Sequence, residues 1–200
     1  MDLLTVSLGS IVNINWPEAI DYFKEKINKK GRTLGISKVA DILTKIVTGK
    51  DRNELWIFGG EFDFASAWLS RLSDEELFSS LSIERVVCVA IAPTKAKKLI
   101  RVGLLEKDFI QRMKSNLRVI ERCFSKSIEY RYWNEHPLFH GFRFGNNLII
   151  GTWQINRNQQ LTWRTKVKWI KKKRNTENLF KGVIEVINNN TETVSKKDNE

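Results

Sequence analysis

The two histidines, His136 and His140, are the first candidates for chemistry in this chain. An imidazole can act as a nucleophile, a general base or a metal ligand. Both histidines lie in EHPLFHGFRFGNNLIIGTW, residues 135–153, which alternates as two strands around a turn. Nucleophilic catalysis would need an acid to orient the ring and a cation to stabilise developing negative charge. No acid lies near His140, and Phe142 stands two residues after it, so we predict a structural role for His140 rather than a catalytic one.

Other catalytic and cofactor chemistries find little support in the sequence. A zinc site would need two ligands beyond the two histidines, and none has recognisable spacing, so no metal is predicted. IFGGEF lacks the Lys and Ser/Thr of a phosphate-binding loop, so no cofactor is predicted. Cys88 and Cys123 lie in apolar patterns and are predicted to be buried, reduced thiols. Glu61 and Asp63 follow an apolar strand, but a nuclease of the acid-and-lysine type would also need a paired lysine strand.

The overall charge is more informative than any catalytic motif. Lys and Arg number 34 against 23 Asp and Glu, which gives a net charge of +11 and an isoelectric point near 9.7. Such an excess favours a polyanionic partner, such as nucleic acid or an acidic protein. No apolar run approaches the roughly 18 residues that span a bilayer. The N-terminus is also atypical of a signal peptide, because position 2 is acidic and no basic residue precedes the apolar ones. We therefore predict a cytoplasmic protein that does not bind membranes.

The positive charge is concentrated in LTWRTKVKWIKKKRN, residues 161–175, within a stretch that has no acid between positions 135 and 177. Strand alternation places Trp163, Val167 and Trp169 on one face, predicted to be core, and cations on the other. Cations spaced about 6.6 Å apart on a strand can follow a phosphate backbone. Lysines on an edge strand can instead serve only to block edge-to-edge pairing. The nucleic-acid-binding residues that we predict are Arg164, Lys166, Lys168, Lys171, Lys172, Lys173 and Arg174.

The first 50 residues predict a helical hairpin packed on the main domain. Apolar residues recur at helical spacing over 17–29 and over 37–48, with a Ser N-cap at the second helix and Gly49 at its end. A helix-turn-helix motif would show the same pattern, as would any other helical hairpin.

Residues 51–188 predict an α/β domain with a central mixed, mostly parallel sheet flanked by helices. Buried strands over 54–60 and 84–93 alternate with helices over 64–72, 73–81 and 106–125. A strand over 128–133, the hairpin at 135–153, a strand over 161–171 and a helix over 176–187 complete the domain. Residues 189–200 have no sustained apolar content and are predicted to be a disordered tail.

The order of these elements from about 53 to 187 resembles one repeat of the phospholipase D-like superfamily. The counterparts of the family signature would be His140-Gly141-Phe142, then Asn146 or Asn147, then Gly151-Thr152. In active members the histidine attacks phosphorus and a lysine binds the phosphate oxygens. Phe142 stands at that lysine position, and two histidines would face each other only in a homodimer. The resemblance therefore implies a catalytically degenerate repeat.

Taken together, these observations predict a non-catalytic nucleic-acid-binding or regulatory module. One alternative is a dimeric phosphodiesterase or nuclease that uses His140. Another is an assembly component whose basic surface docks an acidic protein partner. The aromatic residues near the hairpin could line a partner groove, although core packing is the more common use of such residues: Tyr130, Tyr132, Trp133 and Trp153.

Overall fold

The architecture is a sheet of nine strands with helices on both faces. The computed structural model describes residues 25–48, 53–74, 81, 83–124, 128–134, 139–155, 161–163 and 166–194. The strands are β1 (Arg32–Gly35), β2 (Asn53–Phe58), β3 (Ile83–Ile91), β4 (Ile128–Trp133), β5 (Phe139–Phe144), β6 (Asn147–Ile155), β7 (Leu161–Trp163), β8 (Lys166–Lys171) and β9 (Thr191–Val194). They are ordered β1-β8-β6-β5-β2-β3-β4-β9, and β7 pairs with β6.

The sheet is mixed but mostly antiparallel, so the prediction of a mostly parallel sheet is wrong. Only the β2–β3 and β3–β4 pairs among these strands are parallel. The other pairs, β1–β8, β8–β6, β6–β5, β6–β7, β5–β2 and β4–β9, are antiparallel. Parallel neighbours need a long crossover, and among strands that are consecutive in the chain and adjacent in the sheet only β2 and β3, and β3 and β4, are joined through helices in the described chain. The turn at 145–146 instead joins β5 to β6 as a hairpin, and this reverses the strand direction.

Two apolar cores lie on opposite faces of the sheet. The helices are α1 (described over 25–30), α2 (Ile36–Val47), α3 (Asp63–Asp74), α4 (Pro93–Arg101), α5 (Phe109–Cys123) and α6 (Glu177–Asn189). The first core packs α2, α3, α4 and α5 against one face. The second core packs α1 and α6 against the other, through residues such as Ile27 and Val183. No helix among the described residues is long and apolar enough to cross a membrane.

Several elements agree with the sequence predictions to within a few residues. These are the helices predicted over 37–48, 64–72, 106–125 and 176–187, and the strands predicted over 54–60, 84–93 and 128–133. The hairpin predicted at 135–153 corresponds to β5 and β6, with β6 continuing to Ile155, and the single strand predicted over 161–171 is assigned as two strands, β7 and β8. Most of the helix predicted over 73–81 lies outside the described residues. Helix α4 was not predicted from the sequence, because Pro93 was interpreted as the end of the preceding strand. Proline is also common in the first turn of a helix, and Pro93 begins α4.

The N-terminal helical hairpin is not observed. Strand β1 separates α1 from α2, and the two helices pack on opposite faces, which also excludes a helix-turn-helix arrangement for this pair. A four-residue strand of sequence RTLG is too short to show a period, so only its pairing with β8 reveals it. Both β1 and α2 therefore belong to the same sheet and core as the elements that follow residue 53.

The prediction of disorder over 189–200 is wrong for residues 191–194. These residues form β9, which pairs with β4 from Trp133↔Thr191 to Tyr130↔Val194. The segment TETV carries only one aliphatic residue, so its sequence gives no strand signal. Residues 195–200 lie outside the described part of the chain.

Ending the chain after Asn190 should lower its stability, because the edge of β4 then loses its partner strand. Four paired residues are removed, and at about 0.5–1 kcal/mol for each lost ladder hydrogen bond we expect a loss of about 2 kcal/mol. For a chain of this size, that corresponds to a fall in melting temperature of about 4–8 °C. A chain ending after Val194 is the matched control and should melt close to the parent in the same thermal scan. Equal melting of both truncated chains would show that β9 contributes nothing.

Candidate nucleic-acid interface

Strand β8 carries three of the seven predicted cations, Lys166, Lys168 and Lys171, but it is an inner strand of the sheet. It pairs with β1 on one side and β6 on the other, with Lys168 opposite Thr33 and Ile150. The alternative in which its lysines protect an exposed edge therefore does not apply to this part of the strand. Lys166 is paired with Gly35, and Arg164 lies outside the described residues.

Lys168 is a structural cation rather than part of an open row. Its side chain is half-buried, and Nζ donates hydrogen bonds to the Thr33 hydroxyl at 2.6 Å and the Asn28 carbonyl at 3.2 Å. The next residue on this face, Ile170, is buried in the second core beneath α1 and α6. Strand alternation was predicted correctly, but the face that it assigns to solvent is largely covered by helices.

The cations beyond the strand remain exposed, on a turn that one threonine organises. Lys171, Lys173 and Arg174 are exposed and have no ion pair within the described chain, whereas Lys172 Nζ lies 3.7 Å from a Glu177 carboxylate oxygen. The buried Thr176 hydroxyl donates to the Lys171 carbonyl at 2.6 Å and accepts from the Lys173 amide at 2.9 Å. The turn therefore holds its cations on an ordered backbone.

Two further cations join this turn from the other end of the chain. Lys30, at the end of α1, donates from Nζ to the Asn175 carbonyl at 2.9 Å across a separation of 145 residues. Arg32 is exposed on β1, opposite Trp169. We call the five exposed cations the basic corner: Lys30, Arg32, Lys171, Lys173 and Arg174. Sequence reasoning missed Lys30 and Arg32, because nothing local links them to residues 171–174.

The aromatic residues of this region pack inward. Trp169 is half-buried against the first core, and its Nε1 donates to the Asn147 side-chain oxygen at 3.2 Å, which agrees with its predicted core role. Near the hairpin, Tyr130, Tyr132 and Trp133 are all buried, so they do not line a groove. The structure does not describe the side chains of Trp153 and Trp163.

His140 lies on β5, directly opposite Gly151 on β6. Only 8% of the residue is exposed, and its ring lies against Gly151 so closely that a Cβ there would be 2.2 Å from Nε2. Burial lowers the pKa of His140 to about 4, so the ring is neutral at pH 7. A buried ring cannot reach the phosphorus of a macromolecular substrate without movement of the surrounding structure.

The other counterparts of the phospholipase D-like signature are only partly brought together. Thr152 lies beside His140 through its pairing with Phe139, but Asn147 pairs with Phe144 at the opposite end of the hairpin. Asn147 and Gly151 are four positions apart, which amounts to about 13 Å along a strand. Phe142, at the lysine position, packs edge-on against Phe64 and Trp68 with ring centroids 5.7 and 6.0 Å apart.

The remaining candidates for chemistry are held in structural contacts. Arg112 forms hydrogen bonds with both carboxylate oxygens of Glu61 and also pairs with Glu106 and Asp108, which raises the pKa of Arg112. Burial raises the pKa of the free Cys88 thiol and, less strongly, that of Cys123. Within the residues that the structure describes, no three His, Cys, Asp or Glu side chains converge on a metal position.

Comparison with known proteins yields distant structural similarity to solved structures. No protein-family model and no curated protein matches the chain. Among solved structures, TrmBL2 is similar with a TM-score of 0.41 and 12% identity, over 90% of this chain and 60% of that one. TrmBL2 is an archaeal chromatin protein with a novel mode of DNA binding. At this score the similarity carries no functional argument, so the function must be argued from the geometry of this chain.

Replacing Thr176 with alanine should loosen the turn that carries the exposed cations. The Lys171 carbonyl and the Lys173 amide lose their shared partner, so we expect a loss of about 1–2 kcal/mol in unfolding free energy and faster hydrogen exchange at the Lys173 amide. Thr176→Ser keeps the hydroxyl and is the matched control. Equal exchange rates at Lys173 in both variants would mean that the hydroxyl does not hold the turn.

His140 should make the folded protein less stable in acid. Its folded-state pKa of about 4 lies below the ordinary 6.5, so the unfolded chain binds the proton more tightly. This contribution is fully present above pH 6.5 and is lost as the pH falls towards 4, by about 2 kcal/mol between pH 7 and 5. The check is urea unfolding of the parent and of His140→Gln at both pH values. The unfolding free energy should change less between pH 7 and pH 5 in the variant than in the parent.

NMR gives a direct measurement that does not depend on how well the variant folds. The His140 ring signals should stay constant from pH 7.5 to 5. A midpoint near 6.5 would contradict the burial of the imidazole.

Proposed function

We propose that this protein is a nucleic-acid-binding module that contacts phosphates through the basic corner. The observation that supports this most strongly is the hydrogen bond from Lys30 to the Asn175 carbonyl, because it joins the end of α1 to the cationic turn. Cations from two distant parts of the chain thereby form one exposed surface. Of the seven cations predicted from the sequence, Lys171, Lys173 and Arg174 belong to this surface.

The charge and rigidity of the basic corner both suit a phosphate backbone. None of its five cations has an ion pair within the described chain, so a phosphate would not have to displace a carboxylate. Each Lys or Arg that neutralises a phosphate releases condensed counterions, which supplies affinity at low salt. The Thr176 hydrogen bonds fix the turn before binding, so less conformational entropy is lost on association.

We further propose that the binding module is a degenerate phospholipase D-like repeat. The adjacency of His140 and Gly151 supports this, since both belong to the signature residues. The burial of His140 and the presence of Phe142 at the lysine position favour binding over phosphodiester cleavage. The basic corner lies at the end of the hairpin remote from His140, because the 145–146 turn contacts Lys172.

The test is to replace Lys171, Lys173 and Arg174 together with glutamine and to measure DNA and RNA binding at several salt concentrations. If each cation meets one phosphate, the slope of log affinity against log salt should fall by about 3 for duplex DNA, and affinity at low salt should drop. The matched control replaces Lys97, Lys98 and Arg101 with glutamine. These residues are exposed on α4, and their replacement removes the same amount of positive charge. The control should change the slope by much less.

Three results would overturn these proposals. Equal losses in both triple variants would indicate diffuse attraction to the whole positive surface rather than binding at the corner. A stable complex with an acidic protein that survives nuclease treatment, without measurable nucleic-acid binding, would favour the assembly alternative. Cleavage of the nucleic acid that disappears in His140→Ala would restore the enzyme alternative.

A further inference from the structure

An arginine pair flanks Trp56 on the face of the sheet that bears the second core. The guanidinium carbon of Arg143 lies 5.4 Å from the Trp56 ring centroid, and that of Arg131 lies 5.6 Å from it. Arg143 is paired directly with Trp56 across β5 and β2. Trp56 is itself buried, with its Nε1 donating to a Glu54 carboxylate oxygen at 3.0 Å. The ring is therefore a fixed platform for planar cations.

The carboxylates around this platform are already engaged by other arginines. Glu54 accepts from Arg85 Nη1 at 2.7 Å, and Glu129 accepts from Arg85 Nη2. Glu129 also lies 3.8 Å from Arg131 Nε, and the Arg131 guanidinium donates to the Asn188 side chain at 2.9 Å. Two carboxylates thus serve two arginines, and this chain of ion pairs is electrically balanced.

Arg143 is a third positive charge beside these two ion-paired arginines, Arg85 and Arg131. It has no ion pair with any residue that the structure describes, and its buried Nε has no acceptor there. Burial lowers the pKa of Arg143 even though the Glu54 carboxylate lies nearby, which reflects a partly desolvated cation. A guanidinium remains protonated in proteins, so the charge persists. Contact with an aromatic ring attracts the cation but does not satisfy its N–H donors.

We infer that Arg143, held beside the Trp56 ring, is a binding site for a phosphate oxyanion. A planar guanidinium offers parallel N–H donors that match two oxygens of a phosphate, and contact with the Trp56 ring restricts the positions that the side chain can take. An oxyanion from outside the chain would supply both the missing counter-charge and the missing acceptors. The assignment of that phosphate to a nucleic acid rests on the proposed function, whereas the oxyanion site itself does not.

The position of Arg143 relative to the basic corner supports a shared ligand. Arg143 is the penultimate residue of β5, and the turn that follows is bonded to the cationic turn through Lys172 N and the Asn146 carbonyl at 2.7 Å. In the sheet, β5 and β8 are separated by β6 alone, which places them two strand spacings apart, roughly 9–10 Å. One phosphate chain lying across these strand ends could therefore contact both the corner and Arg143.

The test follows the Nε–Hε signals of the arginines by ¹⁵N NMR in the full-length protein. The probes are inorganic phosphate, a nucleoside monophosphate and a short single-stranded oligonucleotide. We expect the Arg143 signal to shift with each probe and that of exposed Arg101 to shift little. Arg143→Lys keeps the charge but loses the planar fork, and it should weaken phosphate binding about tenfold. Arg101→Lys is the matched control and should bind phosphate within about twofold of the parent.

The outcomes separate this inference from the proposed function. An Arg143 signal that moves with phosphate and monophosphate but not with a bound oligonucleotide would support the site and identify a small phosphorylated ligand as its source. A signal that moves with none of the probes would overturn the inference, even if the oligonucleotide binds and the basic-corner variant abolishes that binding. If the parent protein does not bind the oligonucleotide but the Arg143 signal still shifts with inorganic phosphate, the result would count against the proposed function and not against the oxyanion site. Because the decisive signal is read in the parent protein, a poorly folded variant would not obscure the result.

Discussion

The pairing of β1 with β8 determines where this chain can present positive charge. It makes β8 an inner strand and brings α1 onto one face, so that Lys168 is bound by Thr33 and Asn28 rather than by solvent. Both faces of the sheet are then covered by helices. Of the β8 cations whose side chains the structure describes, Lys171 at the end of the strand is the exposed one, and the same pairing places Lys30 beside that end.

The two ends of the β5–β6 hairpin have different chemical character. At one end the His140 ring is buried against Gly151, in an environment that excludes charge. At the other end the turn contacts the cationic segment through Lys172. A buried neutral imidazole contributes to packing. A charged group in its place would lose its hydration and destabilise the fold. The features of the structure that suit anion binding therefore lie away from the residue that first suggested chemistry.

Electrostatic balance distinguishes the arginines of the second face. Arg85 and Arg131 share Glu54 and Glu129, and their side chains link β2, β3 and β4. Arg143 lies near the same tryptophan, Trp56, as Arg131, and it has no ion pair with any carboxylate that the structure describes. Arg131 therefore acts as a structural ion-pair partner. Arg143 carries a charge that is costly to the fold unless an external group compensates it.

Much of the secondary structure could be predicted from the sequence, because a helix period and an apolar strand are local properties. The amphipathic pattern behind α5, the apolar run behind β3 and the alternation that sends Val167 and Trp169 inward all lie within a few residues. Composition likewise determined the excess of positive charge. Strand direction, the short strands β1 and β9, and the exposure of each lysine depended on pairings between distant residues. Only the tertiary structure could therefore decide that Lys168 is a structural contact, that Lys30 joins the basic corner, and that Arg143 has no ion-pair partner in the described chain.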